Sequence, residues 1–466
     1  MTGTDPAVGA RRLAAWALVA AIFSLGQALE NGGGRFSIFA LSWVTAGLLA
    51  LGAVVAGLPE RSRSAPSGRA LLLFGAAVFA VQILEQWNGD PTGPIAASFD
   101  WSWFQCGLLA AGAAGIAGLG ARPSLRPVLI LFLLALHLAL GIWTVRSRPE
   151  PQIDVFAFQQ EASRALGAGE NPYLVAMPNI YDAEEAARLY APGWTDGGRL
   201  RFGFPYPPLS LLLAFPGYLL GDHRLAQAVA ATLAGAAIAF LARGRMGPLA
   251  AALFLFTPRG FYVLEMGWTE PFAVLLFALF LQAAVRAPRG RPWLLGALLS
   301  AKQYLVVLAP LLPLLAPWSL PARRLPRLAL QALGVAAAIA LPFVLWDPRA
   351  FYTSVVAVHL AQPYRPDSLT YLALLPDAAA RALSFLPLLA ACGAIVLALR
   401  RGPRTPAGFA AAAGLTLLAF FSCSKQAHAN YYYLAIGVLA AALAATDAPA
   451  IDSGEGADQN LPVRST

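Results

Sequence analysis

Charge is scarce in this chain. Asp, Glu, Lys and Arg make up 12% of 466 residues, while apolar types reach 58%. That balance excludes a water-soluble multidomain enzyme, whose surface needs about a quarter of its residues charged. Lysine is rarer still: Lys302 and Lys425 are the only two, and the rest of the 33 Lys and Arg side chains are arginine. Cysteine is limited to Cys106, Cys392 and Cys423, far apart and without metal-ligand spacing. Neither a disulfide framework nor a zinc site is expected. The formal net charge of +9 could attract nucleic acid, but the arginines fall in short clusters between apolar runs. They read as topology signals and contacts to anionic lipid, so membrane lipids are expected partners and nucleic acid is not.

What the chain has in abundance is apolar runs of about 18 to 22 residues, each long enough to cross a hydrocarbon core of ~30 Å as a helix. The expected fold class is an all-α polytopic membrane protein. Spans are read at roughly 13–30, 36–58, 69–87, 101–120 and 126–145. The first lacks a small-residue cleavage site and is expected to stay as a span. Arg11/Arg12, Arg61/Arg63/Arg69 and Arg122/Arg126 lie at alternate ends, which puts the amino terminus in the cytoplasm and the polar segment 146–205 outside. If 206–220 crossed the membrane, every later arginine cluster would be inverted. With its prolines and only about 15 apolar residues, it is expected as an interfacial helix. Further spans follow at 224–242, 247–258, 269–286, a pair of short helices sharing 293–318 and turning near Lys302, then 327–346, 378–399, 405–422 and 430–446. The total is about 14 crossings. Residues 448–466 are polar and expected as a disordered cytoplasmic tail.

This topology gathers Asp154, Arg201, Glu265, Glu270, Lys302, His359, Lys425 and His428 on the external rim. Glu265 is expected to be solvated, His137 to be a buried hydrogen-bonded residue, and His223 and His359 to be interfacial. Asp154 follows a span by about nine residues, at headgroup depth, and opens an amphipathic helix. It has two compatible roles: N-cap of that helix, or a carboxylate aimed at chemistry on the membrane surface. Lys302 can be a snorkelling side chain or a functional cation, since charge inside a membrane is costly. Glu270 can be a helix-start carboxylate favoured by the dipole. Tyr431-Tyr432-Tyr433 reads as an interfacial aromatic belt.

Asp154 with a following aromatic, Gly169-Glu170-Asn171-Pro172-Tyr173, and Phe204-Pro205-Tyr206-Pro207-Pro208-Leu209 together resemble the external-loop signature of the GT-C superfamily of membrane glycosyltransferases. The nearest likeness is the polyprenyl-phosphate-mannose-dependent branch that includes phosphatidylinositol mannoside mannosyltransferase. Gly267-Trp268-Thr269-Glu270-Pro271 and Ala301-Lys302-Gln303-Tyr304 fall where such enzymes have an acidic residue before a span and a lysine between short helices. The similarity covers roughly 146–446. The chain departs from the pattern in lacking an Asp-x-Asp metal motif and a lysine ahead of its Pro-Pro.

The resemblance implies a GT-C-like catalytic module at 126–447, with residues 1–125 as additional amino-terminal spans. It implies inverting transfer of a hexose, mannose first, from a polyprenyl-phosphate donor to a glycan or glycolipid acceptor, with no cofactor or metal. Asp154 would be the general base. Lys302 with Gln303, Arg201 and Lys425 would meet the donor phosphate; Glu270, Tyr173, Tyr206, Gln426, His428 and Tyr431 would hold sugar or acceptor. The chemistry suits these types, because a carboxylate accepts the hydroxyl proton and fixed cations meet charge growing on the leaving phosphate. A lipid-linked sugar flippase or transporter also needs intramembrane charge and broken helices, but the polar residues collect on one face rather than midway along an inverted repeat. A structural subunit without activity fits the isolated lysines poorly.

The arginine alternation predicts that positions 63, 243, 324 and 401 face the cytoplasm and positions 154 and 425 face outside. Single cysteines at these sites, in a background with the native cysteines replaced, will react accordingly with an impermeant thiol reagent. External labelling at 243 would invert the second half.

Overall fold

A computed structural model describes residues 6–59, 66–89, 96–286, 288–316 and 321–448. The Arg61/Arg63 cluster, Pro317 and the tail from residue 449 lie outside these residues. The described chain is helical apart from loops and one two-residue hairpin, β1 (Thr195–Asp196) with β2 (Arg199–Leu200). Five long helices come first: α1 (Pro6–Gly32), α2 (Ile38–Val55), α3 (Gly68–Asn88), α4 (Trp101–Gly120) and α5 (Arg126–Ser147). The polar segment then forms α6 (Asp154–Gly167), α7 (Ala183–Leu189) and the hairpin. After it come α8 (Pro208–Leu219), α9 (Arg224–Ala239), α10 (Met246–Leu255), α11 (Gly260–Glu265), α12 (Glu270–Arg286) and α13 (Arg291–Leu299).

A 3-10 helix at Gln303–Leu315 leads to α14 (Leu325–Trp346). The next segment is α15 (Pro348–Tyr352), a π-helical turn at Thr353–Ala357, and α16 (Val358–Ala361). Last are α17 (Asp377–Ala382), α18 (Leu386–Arg401), α19 (Pro406–Ser422) and α20 (Ala429–Ala445).

Among the described residues, six helices are long and apolar enough to cross a membrane: α1 to α5, and the one ending in α14. Only 17% of the most apolar stretch of the last is buried, and Leu330, Leu333, Leu341 and Leu345 stand exposed along it. Outward leucines on this scale would precipitate a soluble protein and suit a helix facing lipid. The remaining apolar helices are shorter. At 1.5 Å per residue α8 spans about 18 Å and α10 about 15 Å, well under a hydrocarbon core. The expected pair at 293–318 breaks at Lys302, whose extended backbone (φ −150°, ψ 142°) separates α13 from the 3-10 helix. Pro310 and Pro313 inside that helix each lack an N–H, which is why its bonding departs from the α pattern. The expected crossing at 378–399 is likewise split into α17 and α18, with Pro387 at the start of the second.

At the centre stands α20, buried along all of its length but Tyr431. A helix apolar all round belongs in a core, and its alanines and Gly437 let neighbours approach closely. It packs against α1, α10, α12 and α19, while α2 lies on α19. The first helix thus reaches the middle of the bundle, while α2 packs on α1 and α19 with Ile38, Phe39 and Leu49 exposed. The α1–α2 turn is pinned to the start of α20: Gly34 has φ +76°, and a Cβ there would lie 2.5 Å from the backbone N of Ala429. At the opposite end the Asp447 carboxylate accepts from the N–H of Met246 (2.7 Å), tying the chain after α20 to the start of α10.

Gly33 also has positive φ (+57°) but open space around it. Gly33→Ala should therefore cost only the left-handed backbone penalty of about 1–2 kcal/mol. Gly34→Ala should cost more, ~3 kcal/mol or above, because the Ala429 backbone must also move. Thermal unfolding of the two detergent-solubilised variants checks this; equal losses would mean the turn does not bear on α20.

Candidate functional site

One cavity collects most of the chain's uncommon polar side chains. It has a volume of about 1240 Å³ counting its open mouth, and lies between the 146–205 segment, the Lys302 break, the loop after α16 and the start of α20. Asp154, Tyr206, Lys302, Gln426, His428 and Tyr431, all expected from sequence, line it. Arg35, Tyr181, Tyr190, Trp268, His359, Arg365, Asp367 and Asn430 line it too.

Asp154 is the first residue of α6 rather than its cap. Ile153 holds the extended cap position (φ −149°) without a side-chain bond to the helix. The Asp154 carboxylate instead accepts from its neighbour's N–H, Val155 (2.8 Å), and from the Tyr190 hydroxyl (3.1 Å). The Tyr181 hydroxyl accepts from the Asp154 N–H at 3.2 Å. Burial pushes the carboxyl above the usual carboxylate range, against the opposing pull of Tyr190, Val155 and Arg365. Asp367 is shifted the other way. Burial would raise it, but the Arg365 guanidinium, bonded to both carboxylate oxygens at 3.0 Å, holds it below the usual range. One cavity thus holds two carboxylates with separated proton affinities, the arrangement that divides acid–base work. His428 is pushed down to about 4 by burial and then by Arg365, so it is neutral at pH 7.

Lys302 is fixed by its surroundings. Its Nζ lies 3.1 Å from Glu270 Oε1 and 4.2 Å from the centre of the Tyr206 ring, with the Lys302 side chain 5% exposed. Glu270 is fully buried behind it and does not line the cavity. Glu270 Oε1 also accepts from Tyr304 (3.1 Å) and Asn430 (2.9 Å). The carboxylate expected to meet sugar therefore anchors the lysine, because three donors already occupy the side it presents.

Four other expected residues are placed elsewhere. Gln303 donates to the carbonyls of Pro205 (3.0 Å) and Val355 (3.1 Å), holding the 146–205 segment against the π-helical turn. Lys425 Nζ donates to the carbonyls of His359, Leu360 and Gln362 at 3.0, 3.1 and 2.6 Å. Those carbonyls end α16, where a cation is favoured, so the ammonium is engaged as a helix stop rather than held for phosphate. Tyr173 is buried against Phe343 and Phe351, its hydroxyl donating to the Tyr206 carbonyl (2.9 Å). Arg201 is largely exposed, pairs with Asp196 at 3.5 Å and borders a different groove.

Three expectations about the rim are corrected. Glu265 is not solvated; it is 5% exposed and ion-paired with buried Arg148. Tyr432 and Tyr433 are buried in the core rather than forming a belt, because α20 is central, while Tyr431 faces the cavity. His223 is fully buried beside Phe156 (5.0 Å). His137 is buried as expected, 2.8 Å from the Thr232 hydroxyl. Arg35 and Arg365 were not singled out from sequence, since in this chain a lone arginine looks like every other topology charge. The spacing Arg365-x-Asp367 was the available signal.

No family model, no curated protein and no solved structure matches this chain.

The Lys302–Glu270 pair predicts a thermodynamic signature. Lys302→Met strands a buried carboxylate and should destabilise the fold by about 3–5 kcal/mol, whereas Lys302→Met with Glu270→Met should recover most of that loss. Unfolding midpoints of the single and double variants check it. A double variant no better than the single would show that the two groups are not coupled.

Proposed function

We propose that this protein is a membrane glycosyltransferase that moves a hexose, mannose first, from a polyprenyl-phosphate donor to a glycan or glycolipid acceptor. On this reading the bundle is GT-C-like, with about 14 crossings counting broken ones, and its cavity opens on the external face of the cell membrane. The observation that carries the proposal is the meeting of Asp154, a carboxylate of raised proton affinity, with Lys302 and Arg365 in one cavity beside apolar helices. A lipid donor can lie among the helices while its phosphate sugar enters the polar space.

In the reaction Asp154 takes the proton of the acceptor hydroxyl. The acceptor oxygen bonds to the anomeric carbon from the face opposite the phosphate, and the bond from that carbon to the phosphate oxygen breaks. The electron pair leaves on the phosphate, which becomes a monoester, and Lys302 with Arg365 meets its added charge. Inversion follows from a single displacement. Tyr190 and the Val155 N–H fix the carboxylate, and Tyr206 orients the ammonium. Lysine suits the task as a compact charge able to follow a phosphate, where arginine's fork demands a planar match.

Purified protein in lipid nanodiscs with radiolabelled polyprenyl-phosphate mannose tests the reading. Wild type should transfer or hydrolyse the sugar, and Asp154→Asn should lose roughly 10²- to 10⁴-fold in rate while still binding donor. The rate should rise with pH along an acid limb centred above about 3.9, because only the ionised carboxylate accepts a proton and burial raises its pKa. Near-normal turnover of Asp154→Asn would remove it from the mechanism. Movement of intact lipid-linked sugar across the bilayer without bond cleavage would make the chain a flippase.

A further inference from the structure

A second cavity, of about 590 Å³ counting its mouth, lies where α1, α3, α4 and α5 meet α11. Its lining is unlike the apolar crevices between lipid-facing helices. Trp101 and Trp143 lie with ring centres 5.7 Å apart at 57°, half-buried against Phe104. The same cavity is lined by three carboxylates, Glu30, Glu85 and Glu265, and by the guanidinium groups of Arg148 and Arg259; Glu265 and Arg148 are paired with each other. Arg259 has φ +61°, the one residue other than glycine among those described with a left-handed backbone. Such a backbone costs about 1–2 kcal/mol and needs something to hold it. Here Arg259 is held toward Glu30, its Nε 3.6 Å from the carboxylate.

In this lining Glu85 Oε2 is buried without a hydrogen-bond partner, and Arg259 Nε has only its 3.6 Å ion pair with Glu30. The other oxygen of Glu85 accepts from Gln27 Nε2 (2.6 Å), so the carboxylate is oriented and half used. Buried polar atoms seldom stay unpaired, and an oriented carboxylate acceptor and a guanidinium donor in one lining fit a ligand carrying hydroxyls, which both donate and accept. Aromatic faces suit the apolar C–H side of a sugar ring, and a cavity mostly apolar with a few convergent polar groups is the usual form of a small-molecule site. The wall nearest the first cavity is Tyr262, which lines both.

We infer that this second cavity binds a pyranose ring of the acceptor, stacked on Trp101 and Trp143 and hydrogen-bonded by Glu30, Glu85 and Arg259. Its neighbouring hydroxyl reaches past Tyr262 toward Asp154. The inference rests on the transferase reading for its role, though not for sugar binding itself. It also gives the helices ahead of α5 a task, since α1, α3 and α4 supply Glu30, Glu85 and Trp101.

The test uses the full chain in nanodiscs with two probes, soluble mannobiose and a mannosyl diacylglycerol in the bilayer. Tryptophan emission should change saturably on adding whichever probe is the acceptor class, and the change should be lost in Trp143→Ala. Glu85→Gln, which keeps size and shape, should weaken it about tenfold. In transfer assays Trp143→Ala should raise the half-saturating acceptor concentration about tenfold, with far less effect on cleavage of donor by water. Asp154→Asn should show the reverse, losing cleavage and transfer while keeping the emission change. A response to mannobiose marks a glycan acceptor; a response to the glycolipid alone marks a lipid-borne one. Wild-type protein responding to neither probe, or Trp143→Ala and Glu85→Gln both responding like wild type, would overturn the inference. Sugar binding in wild-type protein that neither cleaves nor transfers would sink the transferase reading and leave the sugar site standing.

Discussion

Glu270 Oε1 is the point to which the polar half of this molecule is tied. It receives Lys302 from the break before the 3-10 helix, Tyr304 from within that helix and Asn430 from the first turn of α20. The carboxylate begins α12, where unpaired N–H groups and the helix dipole favour negative charge. Burying an ion pair gains little net stability, because desolvation cancels most of the attraction. What it supplies is register: with three donors on one oxygen, the 3-10 helix and α20 cannot slide past α12 without leaving charge unpaired in an apolar interior. Lys302 then has one direction left, over the ring of Tyr206 and into the cavity.

Around that anchor the chain repeatedly departs from long helices, and the loop after α16 shows how backbone groups are paired where it does, as an apolar surrounding requires. The loop after α16 is held on both sides: Arg365 N–H donates to the Lys425 carbonyl, Leu369 N–H to that of Ala427, and Phe36 N–H to that of Asp367. These bonds run like short strand pairings between the α1–α2 turn, the 362–370 loop and the lead into α20. They present Arg35, Arg365 and His428 together, although the three are spread across most of the chain.

The sequence made the general architecture readable because apolar run length and proline placement are local properties. The breaks at Lys302 and around 206–220 were visible for that reason. Asp154 and Lys302 stood out as well, one by its distance from a span and the other by being lysine among arginines. The partners of Glu270 and Glu265 were hidden, since both carboxylates sit beside apolar helix ends and only tertiary packing decides whether an oxygen meets water, lysine or arginine. The same holds for the tyrosine triplet. A belt and a core are equally compatible with Tyr431-Tyr432-Tyr433 until one knows that α20 is surrounded. Lys425 looked like Lys302 in sequence, each followed by glutamine, yet the end of a short helix captures one and a buried glutamate the other.

Both ε-amines of the chain are thus engaged by oxygen: one by a carboxylate and the other by three carbonyls. Reagents that acylate primary amines need an unprotonated, accessible nitrogen, and of the two it is Lys302, 5% exposed and ion-paired, that the folded protein shields, while Lys425 is half-buried with its pKa lowered by burial. In the intact molecule Lys302 should therefore react far more slowly than Lys425, and approach it only as the packing around α12 comes apart. The scarcity of lysine gives this chain a built-in chemical gauge of whether its polar centre is still assembled.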